Sequence, residues 1–344
     1  MRILLCVVFF LWPWALQAFT VGALFGTETP EAELARILAS QARLRGHALQ
    51  VKFYDPSGEP QRIFPLVRRA REEGVRFLLG PLDPRLQSEA LTAAQAYRLP
   101  LILLSGDYDP IRVPDEPFAY IFRTGLSPRM AARVLLSCLS RKGLRRVGVL
   151  LSLNEVGREG LKWLKIYAWE ARLRLTKVAW FSPEDTYLYP KFEELLSTEG
   201  VVVWCDRESA LKVVQEKERY GLGLPFFFGP ELADEEFLRT HPSLYGYPFP
   251  GTALFGRRLP TAVPLNLERA ALVDALALLE EIAARGLPPT AESLEALGPV
   301  TLPGGLYYLT NDDHYGLVPE SAGVFTYGLA GFQPYCPPTL LSKP

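Results

Sequence analysis

The residues of this 344-residue chain that could do chemistry are polar groups placed just after short apolar runs. Asp83 and Arg85 follow Phe77-Leu78-Leu79-Gly80-Pro81. Ser105, Asp107 and Tyr108 follow the run at 101–104, and Asn154 and Glu155 follow the one at 147–151. Asp206 and Arg207 follow 201–204, and Glu231 follows Phe226-Phe227-Phe228-Gly229-Pro230. Carboxylates, hydroxyls and a guanidinium so placed can hold a polar solute through ion pairs and charge-assisted hydrogen bonds. They do not assemble into a reaction centre. The three histidines, His47, His241 and His314, show no metal-ligand spacing. No G-x-S-x-G elbow is present, and no G-x-G-x-x-G follows a strand. Neither catalysis nor a metal or cofactor is expected.

Several candidates have an ordinary structural reading beside the functional one. Ser105 could bind a carboxylate with the help of N–H groups at a helix start, or serve as a turn residue before Gly106. Asp83 reads first as the cap of a helix starting at Pro84. Asp206 has the same alternative for a helix through Glu208. Glu231 either contacts a ligand or caps a helix beginning near Ala233. Tyr108 either stacks on or bonds a ligand, or merely covers it.

The elements that must position these groups are legible as alternating strands and helices. Strands are expected at 21–26, 49–54, 77–79 and 101–104, with helices between them. The first helix opens on Thr29 as N-cap with Pro30 at its first position. Short continuous apolar runs alternating with helices imply right-handed crossovers onto parallel sheets covered on both faces. Pro110, Pro114 and Pro117 break this first unit off, and 119–123 is an extended stretch leading onward. The pattern restarts with helices at about 128–142, 157–173, 190–198 and 208–220, and strands at 147–151, 177–181, 201–204 and 226–228. Residues 245–264, rich in Pro, Gly and aromatics, read as a return towards the first unit. An apolar helix follows at 267–284, with Glu268, Arg269, Asp274, Glu280 and Glu281 on its other faces. The last strands are expected at 306–309 and 323–327. The fold class is therefore α/β.

Residues 1–18 have the build of a secretory signal peptide: Arg2, an apolar run from Ile3 to Trp12, and small residues before Ala18. The run is shorter than the roughly 20 residues that cross a bilayer. The expected mature chain starts at Phe19 and lies in the periplasm or outside the cell. Net charge is −1, with no strongly basic cluster, so nucleic acid is not an expected partner. The basic stretch Arg141-Lys142 with Arg145-Arg146 suits a helix end. Of the four cysteines, Cys6 lies in the leader. Cys138, Cys205 and Cys336 are an odd number and read as buried free thiols.

Five segments resemble the type I periplasmic binding proteins, in particular the branched-chain amino-acid receptors of ABC transporters. They are Phe53-Tyr54-Asp55-Pro56; Phe77-Leu78-Leu79-Gly80-Pro81 with Leu99-Pro100 through Ser105; Tyr120-Ile121-Phe122-Arg123-Thr124; Phe226 through Glu231; and Asn311-Asp312-Asp313-His314-Tyr315-Gly316. The resemblance spans about 20–332. It implies two doubly wound lobes joined by three crossover strands, with 19–120 plus about 250–305 in one and 121–249 plus about 306–344 in the other. It also implies a monomer that captures a small polar ligand, an amino acid or amide-like, in the cleft and delivers it to a membrane ABC permease. Glu231 would bind an α-ammonium group. The chain departs from the family at Asp83, Arg85, Asp107 and Tyr108, where amino-acid receptors carry small hydroxyl residues. Acids there repel a ligand carboxylate, so either Arg85 supplies the missing positive charge or the ligand is not an α-amino acid. Asn154 and Glu155 stand where the family often has a tyrosine-glycine pair. A regulator or sensor on the same fold, such as a cell-wall-synthesis regulator, is the alternative function.

Overall fold

The computed structural model describes residues 19–47, 49–113, 118–257 and 262–340. The leader reading at 1–18 and the prolines at 114 and 117 lie outside them. The first unit runs β1 (Phe19–Ala23), α1 (Pro30–Leu44), β2 (Leu49–Phe53), α2 (Ile63–Glu72), β3 (Val75–Leu79), α3 (Gln87–Tyr97), β4 (Leu101–Leu103) and β5 (Ile121–Arg123). Its five strands form a parallel sheet in the order β2-β1-β3-β4-β5. Both faces are buried, as continuous apolar strands require. Leu101, Leu103 and Ile121 point to one side, towards Val67 of α2 and Ala90 of α3. Ile102 and Phe122 point to the other, towards α1. Thr29 caps α1 as expected, its hydroxyl accepting from Ala32 N at 3.2 Å.

The second unit runs α4 (Pro128–Arg141), β6 (Arg146–Ser152), α5 (Glu155–Glu170), β7 (Arg174–Phe181), α6 (Tyr189–Leu195), β8 (Gly200–Trp204), α7 (Arg207–Arg219), β9 (Phe226–Phe228) and α8 (Glu235–Thr240). Its four strands are parallel in the order β7-β6-β8-β9. Then follow β10 (Phe249–Thr252), α9 (Leu267–Ala284), α10 (Ala291–Glu295), β11 (Pro299–Leu302), β12 (Gly305–Tyr308), β13 (Ala322–Gly328) and β14 (Gly331–Cys336). β10, β13 and β14 form an antiparallel sheet against α4, and β11 and β12 form a hairpin. α9 returns to pack on α1. Among the described residues no helix is long and apolar enough to cross a membrane.

The passages between the two lobes are bound to one another. The first passes through Thr124 and Gly125. Thr124 Oγ1 donates to Ala271 O at 2.8 Å, and Gly125 N donates to the Tyr307 hydroxyl at 2.9 Å. Tyr315 closes the same knot, donating to Gly125 O at 3.0 Å and accepting from Ser127 N at 3.1 Å. Gly125 has φ +78°, and a Cβ there would lie 2.5 Å from Ala271 Cβ, so both its backbone and its neighbour require glycine. The other two passages meet where Ala253 N donates to Gly304 O at 2.9 Å.

Three expectations are corrected. Cys138 on α4 and Cys336 on β14 form a disulfide, and only Cys205 is a buried free thiol. Their 198-residue separation left no local signal of the pairing. Arg269 and Asp274 are not on an outer face of α9: they are 6% and 0% exposed. This helix is enclosed on most sides, and each buried charge has partners. Arg269 Nε donates to Glu31 Oε1 at 2.8 Å, and Asp274 accepts from Gly304 N and the Tyr307 hydroxyl, each at 2.7 Å. Finally, Glu231 does not cap the next helix: α8 starts at Glu235 and is capped by Asp234, which accepts from Phe237 N at 3.0 Å.

Candidate functional site

The carboxyl ends of β3, β4 and β5 face those of β6, β8 and β9 across a cleft of about 310 Å³. Open α/β sheets bind ligands at this edge, where loops and helix N-termini leave polar groups free. Arg85, Ser105, Asp107, Glu155 and Glu231, named from sequence, all line the cleft. Asp83, Tyr108, Asn154, Asp206 and Arg207 do not, and their local bonds show why.

Asp83 caps the 3-10 turn Pro84–Leu86, accepting from Arg85 N at 3.0 Å, and pairs with the Arg85 guanidinium at 2.7 Å. That pairing pulls its carboxyl below the ordinary range. Asn154 caps α5 through Gly157 N at 3.2 Å and donates to Asp206 at 3.2 Å. Asp206 in turn caps α7 through Ser209 N at 2.8 Å. Arg207 pairs with Asp234. Tyr108 is half-buried against the α2–α3 side of the first sheet. These residues build the walls of the cleft rather than its lining.

The hydrogen-bond donors that do reach the cleft are largely committed. The Ser105 hydroxyl donates to Pro81 O at 2.8 Å. Arg123, only 2% exposed, holds the loop after β4: Nη1 donates to Ser105 O at 3.3 Å and Tyr108 O at 3.0 Å, and Nη2 to Gly106 O at 2.9 Å. Its Nε lies 3.7 Å from Asp109, which also pairs with Arg129.

The carboxylates are less constrained. Asp107, Glu155 and Glu231 have no hydrogen-bond or ion-pair partner among the described residues. The Glu231 side chain is open to solvent yet stands deep between the walls. Loss of hydration in that gap, followed by the neighbouring Glu268 carboxylate, pushes its pKa up to about 7 against the pull of Arg207. Glu268, at the start of α9, is pushed up for the same first reason.

Among the lining residues that escaped the sequence reading are Arg123, Glu159, Glu268 and Trp204. Glu159 lies one turn beyond Glu155 on α5, a spacing that could have identified it. It accepts from Trp163 Nε1 and from Lys162 Nζ at 3.3 Å. Glu268 follows the Asn266 cap, which accepts from Arg269 N at 2.8 Å. Trp204, the last residue of β8, is 1% exposed and closes the bottom of the cleft. Two glycines make room for its ring. A Cβ at Gly160 would fall 2.3 Å from Trp204 Cδ1, and one at Gly229 would fall 2.9 Å from Cδ2. Among the described residues no group of three or more His, Cys, Asp or Glu is arranged to hold a metal ion.

No protein-family model and no curated protein sequence matches the chain. Its three-dimensional structure does find matches. An ABC transporter substrate-binding protein from Desulfitobacterium hafniense, in complex with Leu, superposes with a TM-score of 0.73 at 16% identity, covering 92% of this chain and 100% of that one. Periplasmic binding protein type 1 from Bordetella pertussis gives 0.69 at 14%, covering 92% and 100%. An ABC transporter solute-binding protein from R. palustris in complex with benzoate gives 0.66 at 17%, covering 93% and 96%. The chain therefore has the type I periplasmic-binding-protein fold.

Proposed function

We propose that this chain, built on the type I periplasmic-binding-protein fold, is an exported solute-binding protein. It captures a small polar ligand between its lobes and delivers it to a membrane ABC permease. The observation that carries this reading is the convergence of two sets of strand ends on one cleft whose lining includes carboxylates without partners among the described residues. A solute touching both walls favours the closed arrangement, by as much as its affinity for the closed form exceeds that for the open one. The solved structures of this fold that hold leucine and benzoate support a binding role and leave the ligand class of this cleft to its own residues. The signal-peptide build of the sequence at 1–18 supports export.

A thermal-shift screen of amino acids, amides, short peptides and polyamines tests the reading. At least one class is expected to raise Tm, as any ligand that binds only the folded state must. Asp107→Trp, which fills the cleft from an exposed position, is expected to abolish the shift. The gene of a transport receptor is also expected beside permease and ATPase genes. A silent screen together with an isolated gene would contradict transport.

A further inference from the structure

We propose that the solute of this cleft is a small organic cation, an amine carrying no carboxylate of its own. This rests on the solute-binding reading above and names the ligand class. Five carboxylates line the cleft: Asp107, Glu155, Glu159, Glu231 and Glu268. They come from both lobes, so a cation between them would draw the walls together. Among the described residues two cations line it, and both are engaged, Arg85 with Asp83 and Arg123 with three main-chain carbonyls.

A ligand carboxylate would need donors, and the side-chain donors lining the cleft are already used. The Ser105 hydroxyl hydrogen goes to Pro81 O. Two of the helix N-termini that face the cleft, which elsewhere attract anions, are matched by the chain's own acids: Glu155 is the first residue of α5 and Glu268 the second of α9. An anionic group placed among these side chains gains no free guanidinium and meets like charge. An ammonium group meets the Asp107, Glu155 and Glu231 carboxylates, which lack protein partners among the described residues.

Binding a cation also ties the site to pH. The charged groups facing Glu231 are Glu268 from α9, with Asp206, Arg207 and Glu208 at the start of α7. Asp107, Glu155 and Glu159 share the same cleft. A carboxyl titrating near 7 is mostly protonated at pH 5.5 and mostly ionised at pH 7.5. An amine that requires the ionised form therefore binds about 20-fold more tightly at the higher pH.

Calorimetric titration of the full mature chain with putrescine, spermidine, leucine, benzoate and acetamide tests the assignment. The expected result is one-site binding of putrescine or spermidine, with the stated pH dependence and little or no binding of the other three. Glu231→Gln should weaken the amine about 30-fold or more. Asp107→Asn, on the opposite wall and exposed, should weaken it as well and guards against a folding defect in the first variant. Binding of leucine, benzoate or acetamide that Asp107→Trp abolishes, with both amines inert, would overturn the cation assignment and leave the solute receptor standing. Silence from all five would overturn the cation assignment, and a silent wider screen would take the receptor reading with it.

Discussion

Asp274→Asn offers a quantitative check on the buried framework that joins the lobes. Asp274 is 0% exposed in the middle of α9 and accepts hydrogen bonds from Gly304 N and the Tyr307 hydroxyl. Burial raises its pKa from 3.8 to about 7, against the pull of those two bonds. The folded protein therefore holds this proton more tightly than the unfolded chain does. Between the two pKa values the unfolded chain binds fewer protons, so stability falls as pH rises. The contribution is intact below about pH 4, lost progressively up to about pH 7, and level above. A shift of that size corresponds to about 4 kcal/mol across the window. Asparagine cannot ionise and removes this slope. It also leaves the Tyr307 hydroxyl hydrogen without its acceptor, at a cost of about 1–3 kcal/mol, since the same hydroxyl already accepts from Gly125 N. Denaturant unfolding of both proteins from pH 4 to 8 should show the variant less stable in acid, with the gap closing or reversing near neutrality. Parallel stability curves would refute the reasoning.

Other consequences follow from single features. Cys138→Ala combined with Cys336→Ala opens a loop spanning 198 positions. The chain-entropy model puts the loss at about 5 kcal/mol, a fall in Tm of roughly 8 °C that calorimetry with and without reductant would detect. Gly160→Ala sets a methyl 2.3 Å from the Trp204 ring; a loss of about 1–3 kcal/mol and a changed tryptophan emission are expected, and an unchanged spectrum would count against the packing described. Arg123→Met removes the group that holds three carbonyls after β4 and faces Asp109. A loss of about 3–5 kcal/mol on unfolding is expected, and a near-neutral effect would deny that guanidinium its role in shaping the cleft.

What could be read from the sequence was whatever depends on neighbours along the chain. Apolar runs broken by helices gave the two parallel sheets, because a strand covered on both faces has no polar side to show. Thr29 and Asp83 were recognisable as caps because their partners lie two or three positions on. The Asp-x-x-Gly of 313–316 is likewise local: Asp313 Oδ1 accepts from Gly316 N at 3.0 Å, and Gly316 has φ +61°. Long-range pairings left no such trace. Arg269 and Asp274 looked like surface charges on an apolar helix because Glu31 and Tyr307 lie 238 and 33 positions away. His314 was indistinguishable from a loop residue, yet it is buried between the rings of Phe118 and Phe122. Half of the named candidates reached the cleft for a related reason. A polar residue after a strand serves equally well as a helix cap or as lining, and only the hydrogen bonds of the folded chain separate Asp206 from Glu231.

The claim on which the functional account depends is that the two walls of this cleft move together around a solute. Spin labels at Ser88→Cys on α3 and Arg158→Cys on α5, both exposed and on opposite lobes, would report the distance across it, while Cys205 is buried. On saturation with a solute that raises Tm, the distance distribution should shorten and narrow, and with Asp107→Trp it should not change. A distribution that stays the same under saturating solute would contradict closure and, with it, the capture mechanism proposed for this protein.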